Sequence, residues 1–193
     1  KEIEILRAGG HILGNIRDQL AKAVKVGVTG LDLDILAEKL VKEAGGKPSF
    51  KGYHGFPNAV CVSVNQTVVH GIPNNIAFAE GDLVGIDIGM EYQGFFTDTA
   101  TTVAIGKIDP KAEKLLKATK KALEIGLSQV SPDGHIGDIG KAIEKYIKPF
   151  GFGIVRDLAG HGVGRAVHED PMIPHYDPGK KLDKMFPGLV IAI

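Results

Sequence analysis

Cysteine is almost missing from this sequence. Cys61 is the single one in 193 residues, so no disulfide can form within the chain, and a reducing cytoplasm is the expected setting. Neither sign of charge is in excess. Lysine and arginine number 23 and aspartate and glutamate also number 23, which leaves no overall field to draw the chain to nucleic acid or to an anionic membrane. Long apolar runs are lacking too. None approaches the roughly 20 residues of a membrane span, and the opening "KEIEILRAGG" has the pattern of a charged amphipathic helix, not of a signal peptide. No nucleic-acid partner and no membrane are therefore expected. What is present, 44% hydrophobic and 24% charged residues, is the composition of an ordinary globular protein with one well-buried domain or two small lobes. The chain does not begin with methionine and stops inside "GLVIAI", a buried-strand pattern, so both ends are expected to be cut.

Periodicity sets out the elements. Leu6, Leu13, Ile16, Leu20 and Val24 recur at helical spacing and predict a first helix from about Ile3 to Val24. A second helix follows "VTG", with Leu36 and Leu40 on its apolar face, and ends at Gly45-Gly46. Then come "AVCVSV" with strict alternation, "VVHGIP", and the strands "LVGIDIG" and "FFTDTATTVAI". At Asp109-Pro110 the order restarts, with a helix through Leu115, Leu123 and Leu127 and another, after "SPDG", that ends near Pro149. The restart is visible in the letters. "GLDLDI" (30–35) returns as "GHIGDI" (134–139), "EKLVK" (38–42) as "EKYIK" (144–148), "HGIP" (70–73) as "HEDP" (168–171) and "GDLVGI" (81–86) as "GLVIAI" (188–193). We read one catalytic domain over 1–193, built from pseudo-repeats of about 1–106 and 107–193, the second incomplete. By this repeat the counterpart of Asp87 would fall at 194, on a second hairpin that the given residues do not include.

Two aspartates interrupt the strands. Asp87 sits between Ile86 and Ile88, where an uncompensated carboxylate is costly to desolvate. A two-residue turn centred on Tyr92 and Gln93 would set Asp87 directly opposite Asp98, and any other even-length loop keeps both on one face of the hairpin. Like charges so placed repel, and a cation between them would make the pair a metal site. Taken alone, the two are also compatible with a solvent-facing hairpin.

His161 lies in "AGHGVGR", where flanking glycines allow close backbone approach; a neutral imidazole beside carboxylates suits Mn, Fe, Co or Zn, although a plain loop histidine has the same signature. The spacing does not fit a phosphate-binding loop. His70 and His168 stand three residues before a proline in each repeat, placed to contact a substrate across a central site or else to serve as core histidines. Cys61 has no local histidine partner and is expected to pack or to line a pocket, not to act as a nucleophile.

"GYHGFPNAVCVSVNQTVVHGIP", the "IDIG" and "TDTA" pair, "GHGVGR" and "HEDP", in this order, resemble the motifs of the methionine aminopeptidases, type I group, of the pita-bread metallopeptidase family. The resemblance covers essentially the whole chain. It implies an α+β pita-bread fold, a curved antiparallel sheet flanked by helices in two pseudo-symmetric halves, with two divalent metal ions (Co, Mn, Fe or Zn). Asp87, Asp98 and His161 would be metal ligands, Asp98 bridging; two further glutamate ligands of the family would lie beyond Ile193, which makes the 193-residue chain by itself expected to be inactive. His70 and His168 would contact the substrate and serve catalysis, and Tyr53, His54, Phe56 and Cys61 would border the methionine pocket. Val167 departs from the aromatic residue often found there. The implied reaction is hydrolysis of the first peptide bond of nascent proteins by a metallo-exopeptidase, in the cytoplasm, as a monomer when complete, with ribosome association also raised by the family. Two other readings stay open: a proline-directed peptidase of the same fold, and a non-catalytic binding module. "GYHGFP" favours the first activity over the former, and retention of Asp87, Asp98 and His161 weighs against the latter.

Overall fold

Leu13, Ile16 and Leu20 align on one side of α1 (Glu2–Ala23) in a computed structural model that describes residues 1–193. The helix α2 (Gly30–Glu43) starts at a capping box: the Thr29 hydroxyl accepts the Asp32 N–H at 3.1 Å while the Asp32 carboxylate accepts the Thr29 N–H at 2.9 Å. Leu36 and Leu40 were expected to form its apolar face, but the fully covered stripe is Leu33, Ala37 and Val41, with Leu36 and Leu40 half-buried along its border. The deepest row of a helix lying on a sheet is a single file at fourth-residue spacing, and the larger leucines fill the margins.

Four strands complete this part: β1 (Lys47–Pro48), β2 (Val60–Val64), β3 (Leu83–Tyr92) and β4 (Phe95–Ala104). All pair antiparallel with β3, which carries β4 along one edge and β1 and β2 along the other. Val84, Ile86, Ile88 and Met90 of β3 are completely buried and share a core with Leu13, Leu20, Leu33, Val60 and Val62. Each such side chain contributes about 1.5–3 kcal/mol of burial. The strict alternation expected of "AVCVSV" is not realised as one wet and one dry face, since Val60, Cys61 and Val62 are all buried. The reason is a second apolar cluster on the opposite face, where Phe50, Cys61 and Val167 pack with Tyr53, Phe56 and Phe96.

The hairpin between β3 and β4 corrects the expected register. Tyr92 pairs with Phe95, so the turn is centred on Gln93 and Gly94, Asp87 faces Ala100 and Asp98 faces Gly89. Both central residues have positive φ, 51° at Gln93 and 83° at Gly94. This is the requirement of the tight turn whose twist matches its flanking strands, and glycine meets it best at position 94.

The chain separates into two units, Lys1–Asp109 with Gly164–Val167, and Pro110–Val163 with His168–Ile193. In the second, α3 (Pro110–Leu127) and α4 (Ile136–Ile147) precede β5 (Ala159–Gly162), β6 (Glu169–Pro174) and β7 (Ile191–Ala192), an antiparallel sheet with β5 in the middle. The expected helix through Leu115, Leu123 and Leu127 is present as α3, but these leucines are exposed and its buried residues are Ala118, Ala122 and Gly126. Small residues let the helices approach closely, with Ile139 and Ile143 of α4 against Gly126. Ile136, Ile139, Ile143 and Ile147 make that unit's core with Ala118, Ala122, Ile173 and Met185.

One local device occurs in both units. The His135 N–H donates to the Asp138 carboxylate at 2.8 Å, as Thr29 does to Asp32, and the lone bridges Thr29–Ala77 and His135–Lys184 sit beside them. The Phe78 N–H donates to Val28 and the Met185 N–H to Gly134 in the same manner. The offset from Asp32 to Asp138 also relates Leu33, Ala37 and Val41 to Ile139, Ile143 and Ile147, and "EKLVK" to "EKYIK". The matching of "GLDLDI" to "GHIGDI" is therefore shifted: Asp32, not Asp34, corresponds to Asp138.

The hairpin turn yields a paired prediction. Gly94→Ala forces a β-carbon into left-handed backbone and should lower the free energy of urea unfolding by about 1–2 kcal/mol, whereas Gln93→Gly should not lower it by more than about 0.5 kcal/mol. Equal losses in both variants would contradict this turn.

Candidate metal centre

The alternation of β3 separates its two sides. Ile86 and Ile88 point into the helix-covered core, which leaves Asp87 on the other face, half-buried, between Gly85 and Gly89. Asp98 of β4 shares that face through its pairing with Gly89, so the carboxylates are diagonal neighbours, with β-carbons roughly 7–8 Å apart. Cys61 lies across β3, paired with Asp87. Burial first, and the charges of Asp87 and Asp98 after it, push its thiol up to about 12. A thiol that stays protonated is a neutral wall, and the same influence shows that both carboxylates act on one small region.

The rest of this face is apolar. Gly89 has no side chain because the Ser49 hydroxyl and the Phe50 ring occupy the space above it. Tyr53 and Phe56 are half-buried beside Cys61, while His54 is exposed and packs edge-on to Tyr53 at 4.3 Å. Val167 closes the same cluster, taking the place where an aromatic was expected. Phe50 and Phe96 were not picked out from the sequence; Phe96 has the same parity as Asp98 in β4, and that signal was there to be used. His70 is exposed in the connection after β2, with φ of 55°. The adjoining Gly71 lies so close to the Val62 carbonyl that a β-carbon there would collide with it.

His161 occupies the central strand of the second unit, not a loop. A register shift between His161 and Gly162 interrupts its pairing with β6, and Gly162 lies against the Asp170 carbonyl where a β-carbon would not fit. The His161 Nδ1 is 2.8 Å from the Gly162 carbonyl oxygen, which can only accept, so Nδ1 carries the proton. His168 is exposed, and its ring stands edge-on to His161 with centroids 4.3 Å apart.

One unit thus carries Asp87 and Asp98 on one sheet face, and the other, described by itself, carries His161 and His168 ring against ring. No three His, Cys, Asp or Glu side chains are gathered as a cluster able to hold an ion. Two carboxylates and a neutral imidazole nevertheless fit divalent Mn, Fe, Co or Zn by their chemistry.

Asp87 and Asp98 share a sheet face beside the apolar cluster of Cys61, Tyr53 and Phe56. The chain belongs to metallopeptidase family M24, which it matches over residues 4–193. It is 42% identical to methionine aminopeptidase 1 of Bacillus subtilis over 193 residues, covering all of this chain and 78% of that one. It is similarly 43% identical to a methionine aminopeptidase of Clostridium acetobutylicum, over 100% of this chain and 77% of the relative. The structure superimposes on that of a Thermotoga maritima methionine aminopeptidase with a TM-score of 0.96 at 37% identity, over 100% of this chain and 78% of that one. The fold is the α+β pita-bread fold. A prolidase of Pyrococcus horikoshii, 24% identical with a TM-score of 0.85 over 98% of this chain and 52% of that one, shares the fold.

Cys61 offers a direct check of the environment. A thiol at about 12 instead of its ordinary 9.0 has about a thousandth of the usual thiolate fraction, so alkylation by iodoacetamide at pH 8 should be about a thousandfold slower in the folded protein than in urea. Rapid labelling of the folded protein, read by mass spectrometry, would contradict the placement of Cys61.

Proposed function

We propose that this protein removes the N-terminal methionine from nascent proteins by hydrolysis of the first peptide bond. The observation that carries this reading is the carboxylate face of the β3–β4 hairpin, where Asp87 and Asp98 adjoin the apolar cluster of Tyr53, Phe56 and the protonated Cys61. The names of relatives about 40% identical support it. The recurrence of the helix-start device in the two units supports the reading as one catalytic domain built from repeats of about 1–106 and 107–193.

Asp87, Asp98 and the Nε2 of His161 are the proposed ligands of two divalent ions. When bound, such ions polarise a carbonyl oxygen and lower the pKa of water from about 15.7 towards about 7. The chain's own residues do the rest. Tyr53, His54, Phe56 and Cys61 receive the first side chain and orient the peptide. A neutral Cys61 adds no third negative charge beside the two carboxylates. His168 donates a hydrogen bond to the oxyanion that develops on the scissile carbonyl, and His70 stands by the leaving nitrogen to hold or deliver its proton. The substrate being a newly made chain, the cytoplasm is the proposed setting.

Chelation should abolish methionine release from a Met-Gly peptide, and added Mn or Co should restore it. Full activity in the metal-stripped protein, or in Asp98→Ala, would remove the assignment. A Lys-Gly peptide should fail as substrate in the same assay, and its cleavage at a rate comparable to Met-Gly would refute the pocket.

His168→Ala should lower kcat by about 10²–10³, equivalent to roughly 2.7–4 kcal/mol, with little change in KM, because the oxyanion exists only in the transition state. A rise in KM alone would make His168 a binder of the ground state.

A further inference from the structure

Two side chains of α2 reach from one face of the helix to the segment that carries Tyr53, His54 and Phe56. Asp34 is buried, with 9% of its surface exposed. Its Oδ1 accepts the Ala59 backbone N–H and its Oδ2 accepts the Asn58 Nδ2, both at 2.7 Å. One turn later, Glu38 accepts the Lys51 Nζ at 2.8 Å through Oε2 and the Lys42 Nζ at 2.6 Å through Oε1. The same helix thus grips both ends of the stretch 51–59. The two grips differ in kind. Glu38 and its lysines lie in water, where such pairs contribute little, whereas a buried carboxylate is tolerated only with its oxygens engaged, and charge-assisted bonds of this length are strong.

The stretch between them needs holding. Gly52, His54 and Gly55 all have positive φ, at 87°, 46° and 82°, and for histidine this conformation is costly. Its own hydrogen bonds are few: the Gly52 N–H to the Phe56 carbonyl, the Phe56 and Tyr53 N–H groups to the Tyr53 and Phe50 carbonyls, and the Gly55 N–H to Gly52. Beyond the grip, Ala59 is fully buried and leads directly into β2, which delivers Cys61 to the pocket two residues later.

We propose that Asp34 is a positioning residue for the first-residue pocket: through Asn58 and Ala59 it fixes the 51–59 stretch, and so sets where Tyr53 and Phe56 stand relative to Cys61. The inference rests on reading that pocket as the methionine site. Asp34 touches no substrate. Its effect should therefore fall on substrate binding, and Glu38, on the solvated grip, should matter less.

The test compares the metal-loaded full-length wild type with D34N, E38Q and the reciprocal double variant D34N/N58D in the same full-length background, by amide hydrogen exchange and by steady-state methionine release from a Met-Ala-Ser peptide. D34N keeps one oxygen for the Ala59 N–H but sets its NH2 group against the Asn58 amide donor and removes the charge from both bonds. It should speed exchange over 51–59 by about tenfold or more while Ile86 and Ile88 in β3 stay protected, and raise KM about tenfold with kcat within about twofold of wild type. D34N/N58D restores an amide–carboxylate pair of the opposite sense and should recover both readouts; E38Q should raise KM by less than about threefold. Several results overturn the inference: unchanged exchange over 51–59, faster exchange with unchanged KM, a fall in kcat at constant KM, or loss of protection in β3 as well, which would make Asp34 a plain stability residue. A wild-type protein that releases no methionine overturns the pocket reading and the inferred effect on KM with it, while the exchange comparison still decides whether Asp34 holds the stretch.

Discussion

The two-residue period of β3 is the constraint on which the first unit depends. Val84, Ile86, Ile88 and Met90 must all enter the core under α1 and α2, and no register that keeps them there can put Asp87 anywhere but on the opposite face. That face is then free for chemistry. Gly85 and Gly89 flank the aspartate there, and the room above Gly89 is taken by Phe50 and Ser49, at the start of the stretch that carries Tyr53 and Phe56. Burying four large side chains on one side of a strand thus fixes an acidic group on the other, with the pocket wall packed beside it.

Parity was legible in the sequence and register was not. That Asp87 and Asp98 share a face follows from any even-length turn, so the candidate pair stands although the turn centre lies one residue further on and the register two. That difference came from placing Tyr92 where the chain needed a residue with positive φ; Gly94 was the letter that marks such a turn. Helix faces were misjudged for a related reason. Leucines catch the eye, but on α3 the face that meets α4 is Ala118, Ala122 and Gly126, chosen for closeness and not for area. The strand placement of His161 was hidden because "AGHGVGR" is rich in glycine, which ordinarily marks turns. Here glycine at 162 is demanded by the Asp170 carbonyl of the neighbouring strand.

The cluster of Phe50, Phe56 and Phe96 around Cys61 shows what a single sequence withholds. Its members come from separate stretches of the chain and meet only because β2, β3 and the turn before β2 are laid side by side. No local periodicity announces that. Val167, from yet another segment, belongs to it by the same accident of folding, and its smaller side chain gives this wall a shape that motif matching alone leaves open.

The carboxylate face also sets the unit's electrostatics. Two full charges roughly 7 Å apart repel by about 2 kcal/mol at an effective dielectric constant near 20, and the raised thiol of Cys61 registers the same field from a neighbouring strand. The unit also buries an aspartate of α2, at position 34, whose bonds to Asn58 and Ala59 hold the stretch that borders the same face. The two features act together. Acids that share one face repel, and a bordering stretch fixed by short charge-assisted bonds keeps that repulsion from relaxing by moving the wall.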